Sequence, residues 1–280
     1  MGHRLGCLLA VLTFTALVAM LLWSYFATVI AEPGGVPPGW HPFADEEAAM
    51  TQQDYLDYPA YPVSGQAMMA KPRYCKKCKA WKPLRAHHDS ISGRCVLKMD
   101  HYCIWVVNCV GLLNYKHFLL FLFWTCAACL EAAALLITSF VQFLTDSGQS
   151  AGESAVTPAI VFVAFVIDAA FFISLLGFLI MHARMVARNS TSIEMYEKAG
   201  LLPHYPHDRG FRENFKDVFG PRSWWWLIPH YTPAERRQRL EQALQPQAHE
   251  MSARTGGGGA AWLPPLMVAG WLEVFQALQW

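Results

Sequence analysis

The sequence is poor in charge. Asp, Glu, Lys and Arg make up only 15% of its 280 residues, against about 25% in a typical soluble domain. A disordered chain and an ordinary soluble enzyme are therefore both excluded as first readings. Charge of one sign is also lacking: 22 basic against 21 acidic residues leave a net +1, so no global field favours a nucleic-acid partner. Eight cysteines are too few for a small disulfide scaffold. In their place stand apolar residues at 54% and a positive mean hydropathy of +0.21.

The missing charges are missing in blocks. Leu5 to Ile30 carries none over 26 residues, and about 20 apolar residues span a bilayer. A secretory signal is the weaker alternative, because its apolar region is only about 7–15 residues long. Gly6 stands where a myristoylation signal needs Ser or Thr. A second apolar run covers 118–144 and is interrupted by Glu131; a third covers 159–181 and is interrupted by Asp168. The stretch 145–158 between them is short and holds no Lys or Arg, so the two runs predict a helical hairpin across the membrane. Charged residues at mid-membrane are costly and mark functional candidates. With no basic partner in the spans, Glu131 and Asp168 are expected to be protonated and bonded to each other, or to face a polar cavity.

Basic residues set the orientation. Lys71, Arg73, Lys76, Lys77, Lys79, Lys82, Arg85, Arg94 and Lys98 crowd the region between spans one and two, and Arg184 and Arg188 follow span three. The positive-inside rule places both regions in the cytosol and 145–158 in the lumen. The expected organisation is three transmembrane helices (5–30, 118–144, 159–181), a cytosolic linker over 31–72, a cysteine-rich region over 73–117, and a cytosolic C-terminal region over 182–247. A flexible tail over 248–280 ends in the apolar, Pro-broken segment Trp262–Trp280. The fold class is mainly α: a polytopic helical membrane protein with a small cytosolic zinc-binding domain.

Five of the eight cysteines (Cys75, Cys78, Cys95, Cys103 and Cys109) fall within 35 residues. In a reducing cytosol this clustering favours metal ligation over disulfides. Cys75-x2-Cys78 places two thiolates on one tight turn, and a later His and Cys from His87, His88 and Cys95 complete a tetrahedral N/S set suited to zinc. The surrounding lysines argue against inert buried thiols. Asp100-His101-Tyr102-Cys103 is a second feature. It supplies an orienter, a base and a nucleophile, although His101 and Cys103 are equally eligible as further ligands.

The run CKKCKAWKPLRAHHDSISGRCVLKMDHYCIWVVNCVGLLNYKHF, Cys75 to Phe118, resembles the DHHC-type protein S-acyltransferases (palmitoyltransferases). Glu32-Pro33-Gly34 is similar to the family's DPG motif. Thr191-Ser192-Ile193-Glu194 is similar to its TTxE motif, and Asn214 through Gly220 to its C-terminal Asn-containing motif. The resemblance implies that Cys103 is acylated by a long-chain acyl-CoA and passes the acyl group to cytosolic cysteines of membrane-associated proteins. His101 then matches the base and Asp100 its orienter. Cys75, Cys78, His88 and Cys95 match one structural zinc site. Lys82, Arg85 and His87 match positions near the CoA phosphates, Trp105 a position beside the acyl chain, and Thr191 and Asn214 residues that brace the active site. Golgi, endoplasmic reticulum and plasma membrane all suit such a protein.

The pattern departs from the family in two places. The positions of a second zinc site hold Asp89, Ser92, Tyr102 and Cys109, of which only Cys109 is an unaltered ligand, so one zinc per chain is expected. The family's usual first span has no counterpart, because Leu5–Ile30 followed by Glu-Pro-Gly aligns with its second. These departures carry the alternative reading, a catalytically weak membrane-anchored scaffold. A RING-like interaction module is weaker still, since the two-site ligand ladder is missing.

Overall fold

The computed structural model describes residues 2–41, 73–146, 156–197, 205 and 207–245. Most of the expected linker, the loop over 147–155 and the tail from 246 lie outside the described residues. The order of elements is α1 (Gly2–Ile30), three hairpins β1–β2 (Arg73–Cys75, Ala80–Lys82), β3–β4 (His87–Asp89, Arg94–Val96) and β5–β6 (His101–Cys103, Asn108–Val110), then α2 (Tyr115–Asp146), α3 (Val156–Arg188), α4 (Ser192–Tyr196), α5 (Phe211–Phe219) and α6 (Pro233–Leu244).

The fold is mainly helical. Among the described residues three helices are long and apolar enough to cross a membrane, over Arg4–Ile30, Tyr115–Val141 and Ala159–Arg188. Uninterrupted apolar sequence explains them: within lipid only a helix satisfies every backbone group from its own segment. α2 is the middle helix and packs on both α1 and α3. Its partners across the bundle include Tyr25 and Val29 of α1 and Leu175, Phe178 and Leu179 of α3, gathered around Phe118, Leu119 and Leu122.

The membrane acids have different partners from those expected. Glu131 accepts a hydrogen bond from Thr13 on α1, while Asp168 on α3 has Cys129 of α2 as its neighbour. Glu131 thus faces α1, while Asp168 lies against α2 with its Oδ2 buried and unpartnered.

The three hairpins have strands of only three residues. Such pieces are marginal alone, and the chain binds them from outside. The residues expected to begin a linker do part of this. Gly35 forms a bridge with Val96, Val36 N donates to Cys95 O at 3.0 Å, Leu97 N to Gly34 O at 2.8 Å and Leu113 N to Pro33 O at 3.1 Å. The start of the expected linker is therefore paired with the cysteine-rich region as an extra edge. Crossing chains leave no room there: a Cβ on Gly111 would lie 2.7 Å from Val96 Cγ1 and 2.9 Å from Pro33 O. Asn108 adds a second tie, its Nδ2 donating to the carbonyls of Thr28, Val29 and Ala31 at 3.0, 3.1 and 2.9 Å. These are the carbonyls that a helix C-terminus leaves unpaired.

Past α3, two capping boxes start α4 and α6, with Thr191 paired to Glu194 and Thr232 to Glu235. Phe215 and Phe219 of α5 pack on the same core as Phe118 and Leu122. Tyr231 Oη donates to Val218 O at 2.6 Å, and the Arg239 guanidinium lies 4.3 Å over the Tyr231 ring.

Candidate active site

The β5–β6 hairpin carries the candidate residues His101 and Cys103. Successive strand residues face opposite sides, so His101 and Cys103 share one face and Tyr102 takes the other. On the first face the Cys103 thiol lies beside the His101 side chain, close enough for each to shift the other's titration. His101 Nδ1 lies 2.7 Å from Asp100 Oδ2. Asp100 is fully engaged: Ser192 N donates to Oδ1 at 2.8 Å and Ser192 Oγ to Oδ2 at 2.9 Å. The hairpin register sets Cys103 opposite Asn108, the residue that caps α1.

The electrostatics follow from this chain of contacts. Burial opposes charge on Asp100, but the His101 hydrogen bond and nearby His182 outweigh it and bring the carboxyl to about 2. Burial also opposes charge on His101, and the bonds to Asp100 and Cys103 raise it to about 9. Burial pushes Cys103 up, but His101 and the backbone N–H groups of Val106 and Trp105 bring it below the ordinary thiol value. A thiolate–imidazolium pair is the form these shifts favour. Cys103 itself is only 4% exposed, while Ile104, Trp105 and Val107 around it stand out into the surroundings.

The second face of the hairpin holds no metal set. Tyr102 packs with Val96, Met99, Cys109 and Ile193 in an apolar cluster. Asp89 uses both carboxylate oxygens to accept from Ile91 N and Ser92 N at 3.2 and 3.0 Å. Burial first, then Asp89 and Asp100, push the Cys109 thiol up to about 12. At this second position an Asx turn and a hydrophobic cluster hold the two hairpins together.

The remaining cysteines converge differently. Cys75, Cys78, His88 and Cys95 place their ligand atoms within 4.8 Å of one another. The Cys78 Sγ–His88 Nδ1 distance is 3.1 Å, Cys75 Sγ–His88 Nδ1 is 3.5 Å and Cys78 Sγ–Cys95 Sγ is 3.7 Å. A tetrahedral zinc with Zn–S of about 2.3 Å and Zn–N of about 2.0–2.1 Å has donor–donor edges of about 3.5–3.8 Å. The donor set fits such an ion, and among the described residues it is the one cluster of this kind. The β3–β4 register explains half of it, since His88 and Cys95 are directly opposite.

The three residues expected near phosphate part company. Arg85 points inward. Its Nε and Nη2 donate to the two Glu194 oxygens at 2.6 and 2.7 Å, and its Nη groups also reach Asn189 Oδ1 and Asn189 O at 3.2 and 2.6 Å. Here it is a clamp between the cysteine-rich region and the loop after α3. Lys98 makes a parallel clamp to Asn189 Oδ1 at 2.6 Å and Asp217 Oδ2 at 3.0 Å. His87 is held near 4 by burial and by the cations Arg73 and Lys82, so at neutral pH it offers an uncharged ring. Lys82 is half-buried, and burial lowers its ammonium below the ordinary lysine value. Asn214 binds Ala187 O and Asp208 Oδ1, each at 2.7 Å.

The Arg85–Glu194 pair gives a stability prediction. Both side chains are about nine-tenths buried, at 10% and 8% exposure. Glu194→Ala strands a buried guanidinium and is expected to cost about 3–5 kcal/mol, whereas the double change Arg85→Met with Glu194→Leu recovers most of it. Burial opposes ionisation of Glu194, but Arg85 brings it to about 2 from its ordinary 4.5. Its contribution is complete above about pH 4.5 and is lost as the pH falls toward 2. Thermal midpoints of the detergent-solubilised protein report both effects; a midpoint for Glu194→Ala within 1–2 °C of wild type would contradict them.

Fold and site together describe a chain with membrane-length helices and a buried thiol, imidazole and carboxylate side by side on one hairpin. Comparison with known proteins narrows this. A family model described as DHHC palmitoyltransferase matches residues 69–199. "Probable protein S-acyltransferase 14" of Arabidopsis thaliana is 44% identical over 238 residues, 85% of this chain and 76% of that protein. "Probable protein S-acyltransferase 13" of the same plant is 46% identical over 228 residues, 80% and 73% of the two chains. "Palmitoyltransferase ZDHHC2" of Rattus norvegicus is 32% identical over 247 residues, 82% and 64%. The chain belongs to the DHHC family of protein S-acyltransferases.

Ser192 and Glu194 touch the candidate site in ways the sequence does not single out. Their motif was visible, but the partners Asp100 and Arg85 lie about a hundred residues away in sequence.

Proposed function

We propose that this protein transfers a long-chain acyl group from acyl-CoA to cysteine thiols of membrane-associated proteins through an acyl-Cys103 intermediate. The observation that supports it is the continuous series Ser192–Asp100–His101–Cys103. The Cys103 thiolate attacks the thioester carbonyl carbon. A new S–C bond forms, the carbon–sulfur bond to CoA breaks, and the departing CoA thiolate takes the proton from His101. A substrate cysteine then gives its proton to His101 and attacks the acyl-Cys103 carbonyl. Its thioester forms as Cys103 leaves as a thiolate. The sum is acyl-CoA plus protein thiol giving CoA thiol plus acyl-protein, in ping-pong order.

In this reading Cys75, Cys78, His88 and Cys95 hold one structural zinc, because protein fills all four positions. Lys82 is the cation left to meet CoA phosphate, with His87 as an uncharged donor; Arg85 serves the clamp. Trp105, exposed at the rim, sits beside the acyl chain. The basic residues between α1 and α2 support a site on the cytosolic face of an endomembrane or the plasma membrane. The scaffold alternative is not favoured, since the nucleophile, base and orienter are present and assembled.

Cells fed an alkyne fatty acid provide the test. Wild-type protein should carry a hydroxylamine-sensitive label, and Cys103→Ser should carry none. Equal labelling of both, in protein shown to be folded, would sink the mechanism.

A further inference from the structure

His182 on α3 has no part in the chemistry above, yet it lies against it. The ring is completely buried. Its Nδ1 is 3.0 Å from Tyr115 Oη, while its Nε2 is buried with no partner. Its centroid is 4.5 Å from Phe178, 5.3 Å from Phe118 and 6.2 Å from His101. Phe118 in turn meets His101 edge to face at 5.1 Å. Burying an imidazole nitrogen without a hydrogen bond is costly. A third phenylalanine would fill this space without that cost, so packing alone does not account for the histidine.

The geometry assigns His182 as a positioning residue for acyl transfer: anchored by Tyr115, its polar ring backs His101 and steadies the imidazolium that faces the Cys103 thiolate. The inference rests on the acyl-Cys103 reading. With Tyr115 assigned as donor to Nδ1, His182 is the tautomer that carries its proton on Nε2. The titratable groups that face His101 are then Asp100 and Cys103 from its own hairpin and His182 from α3, with Tyr115 of α2 behind His182. Held by Tyr115, the His182 ring forms a fixed wall against which the His101 ring keeps its orientation toward Asp100 and Cys103. Weakening this support lowers the His101 value and raises that of Cys103, and the pH range in which both charges coexist becomes narrower.

The experiment is the pH profile of first-turnover acylation, with palmitoyl-CoA and the full-length protein in detergent. His182→Phe keeps the ring volume and removes both nitrogens. It should slow acylation at least tenfold at saturating palmitoyl-CoA, leave the acyl-CoA KM within twofold, and move the two limbs of the bell toward each other. His182→Asn, whose amide reaches Tyr115, should recover most of the rate. Tyr115→Phe should shift the limbs in the same direction by less. A lower amplitude with unmoved limbs would make His182 a structural residue and overturn the assignment, as would a rate within twofold of wild type. If His182→Phe does not fold, Tyr115→Phe decides: limbs at the wild-type positions overturn the proposal. Wild type lacking any Cys103-dependent acylation would instead sink the reading beneath it, so the two failures are distinct.

Discussion

Asp100→Asn should slow acyl-enzyme formation by about three to four orders of magnitude while leaving the protein folded. The carboxylate is buried at 2% exposure and accepts from His101, Ser192 N and Ser192 Oγ. An amide of the same shape has one acceptor where the carboxylate has two, and turns an NH2 toward one of these donors. It therefore loses Ser192 or presents a hydrogen to His101 Nδ1, which forces the wrong tautomer. The charge is lost as well. Without it His101 returns from about 9 toward its ordinary 6.5, and the thiolate fraction of Cys103 at neutral pH collapses with it. Single-turnover acylation measured from pH 5 to 10 shows both parts: a low plateau, and an optimum displaced from that of wild type. A rate within tenfold of wild type would mean that Asp100 only fills space.

The largest energetic effect should come from extracting the metal. Structural zinc in small Cys/His domains contributes about 10–16 kcal/mol of apparent binding free energy, and that energy is folding energy. Here it must hold hairpins whose strands are three residues long. Metal analysis of pure protein is expected to give one zinc per chain. Cys78→Ala should abolish it and open 73–110 to proteolysis, with loss of acylation although Cys103 is untouched. Asp89→Asn and Cys109→Ser should each retain the full metal content, since the second position is built from Ile91 N and Ser92 N bonds to Asp89 and from the Tyr102 cluster. A count near two per chain would refute this division.

The features legible in the sequence are those whose cause is local. Absence of charge over a membrane thickness marks a span wherever the helix later packs, and all three runs became long helices. A Cys-x2-Cys turn announces a metal knuckle because two ligands are already adjacent in the chain. What stayed hidden depends on contacts between distant segments. Arg85 reads as a free cation beside other cations, and only Glu194, folded back from beyond α3, makes it a clamp. Glu131 has no basic partner in any span, and its actual partner, Thr13, carries no charge to reveal it. Glu32-Pro33-Gly34-Gly35 looks like the start of a flexible connector, yet its backbone pairs with Leu97 and Val96. The lost second zinc site was legible as missing ligands, but not as an Asx turn beside an apolar cluster.

The double tie between α1 and the catalytic hairpin has a consequence for where the reaction happens. Asn108 grips the last carbonyls of α1 and stands opposite Cys103, while Pro33–Val36 is bonded into the same region. The reactive sulfur is thus set at a fixed height above the end of a membrane-crossing rod. When the bilayer thins or thickens, such a rod responds by tilting, and the sulfur rides with it. The depth at which an acyl chain meets Cys103 is then a property of the host membrane as much as of the enzyme, and leaflets of different thickness present the same nucleophile to different layers of lipid.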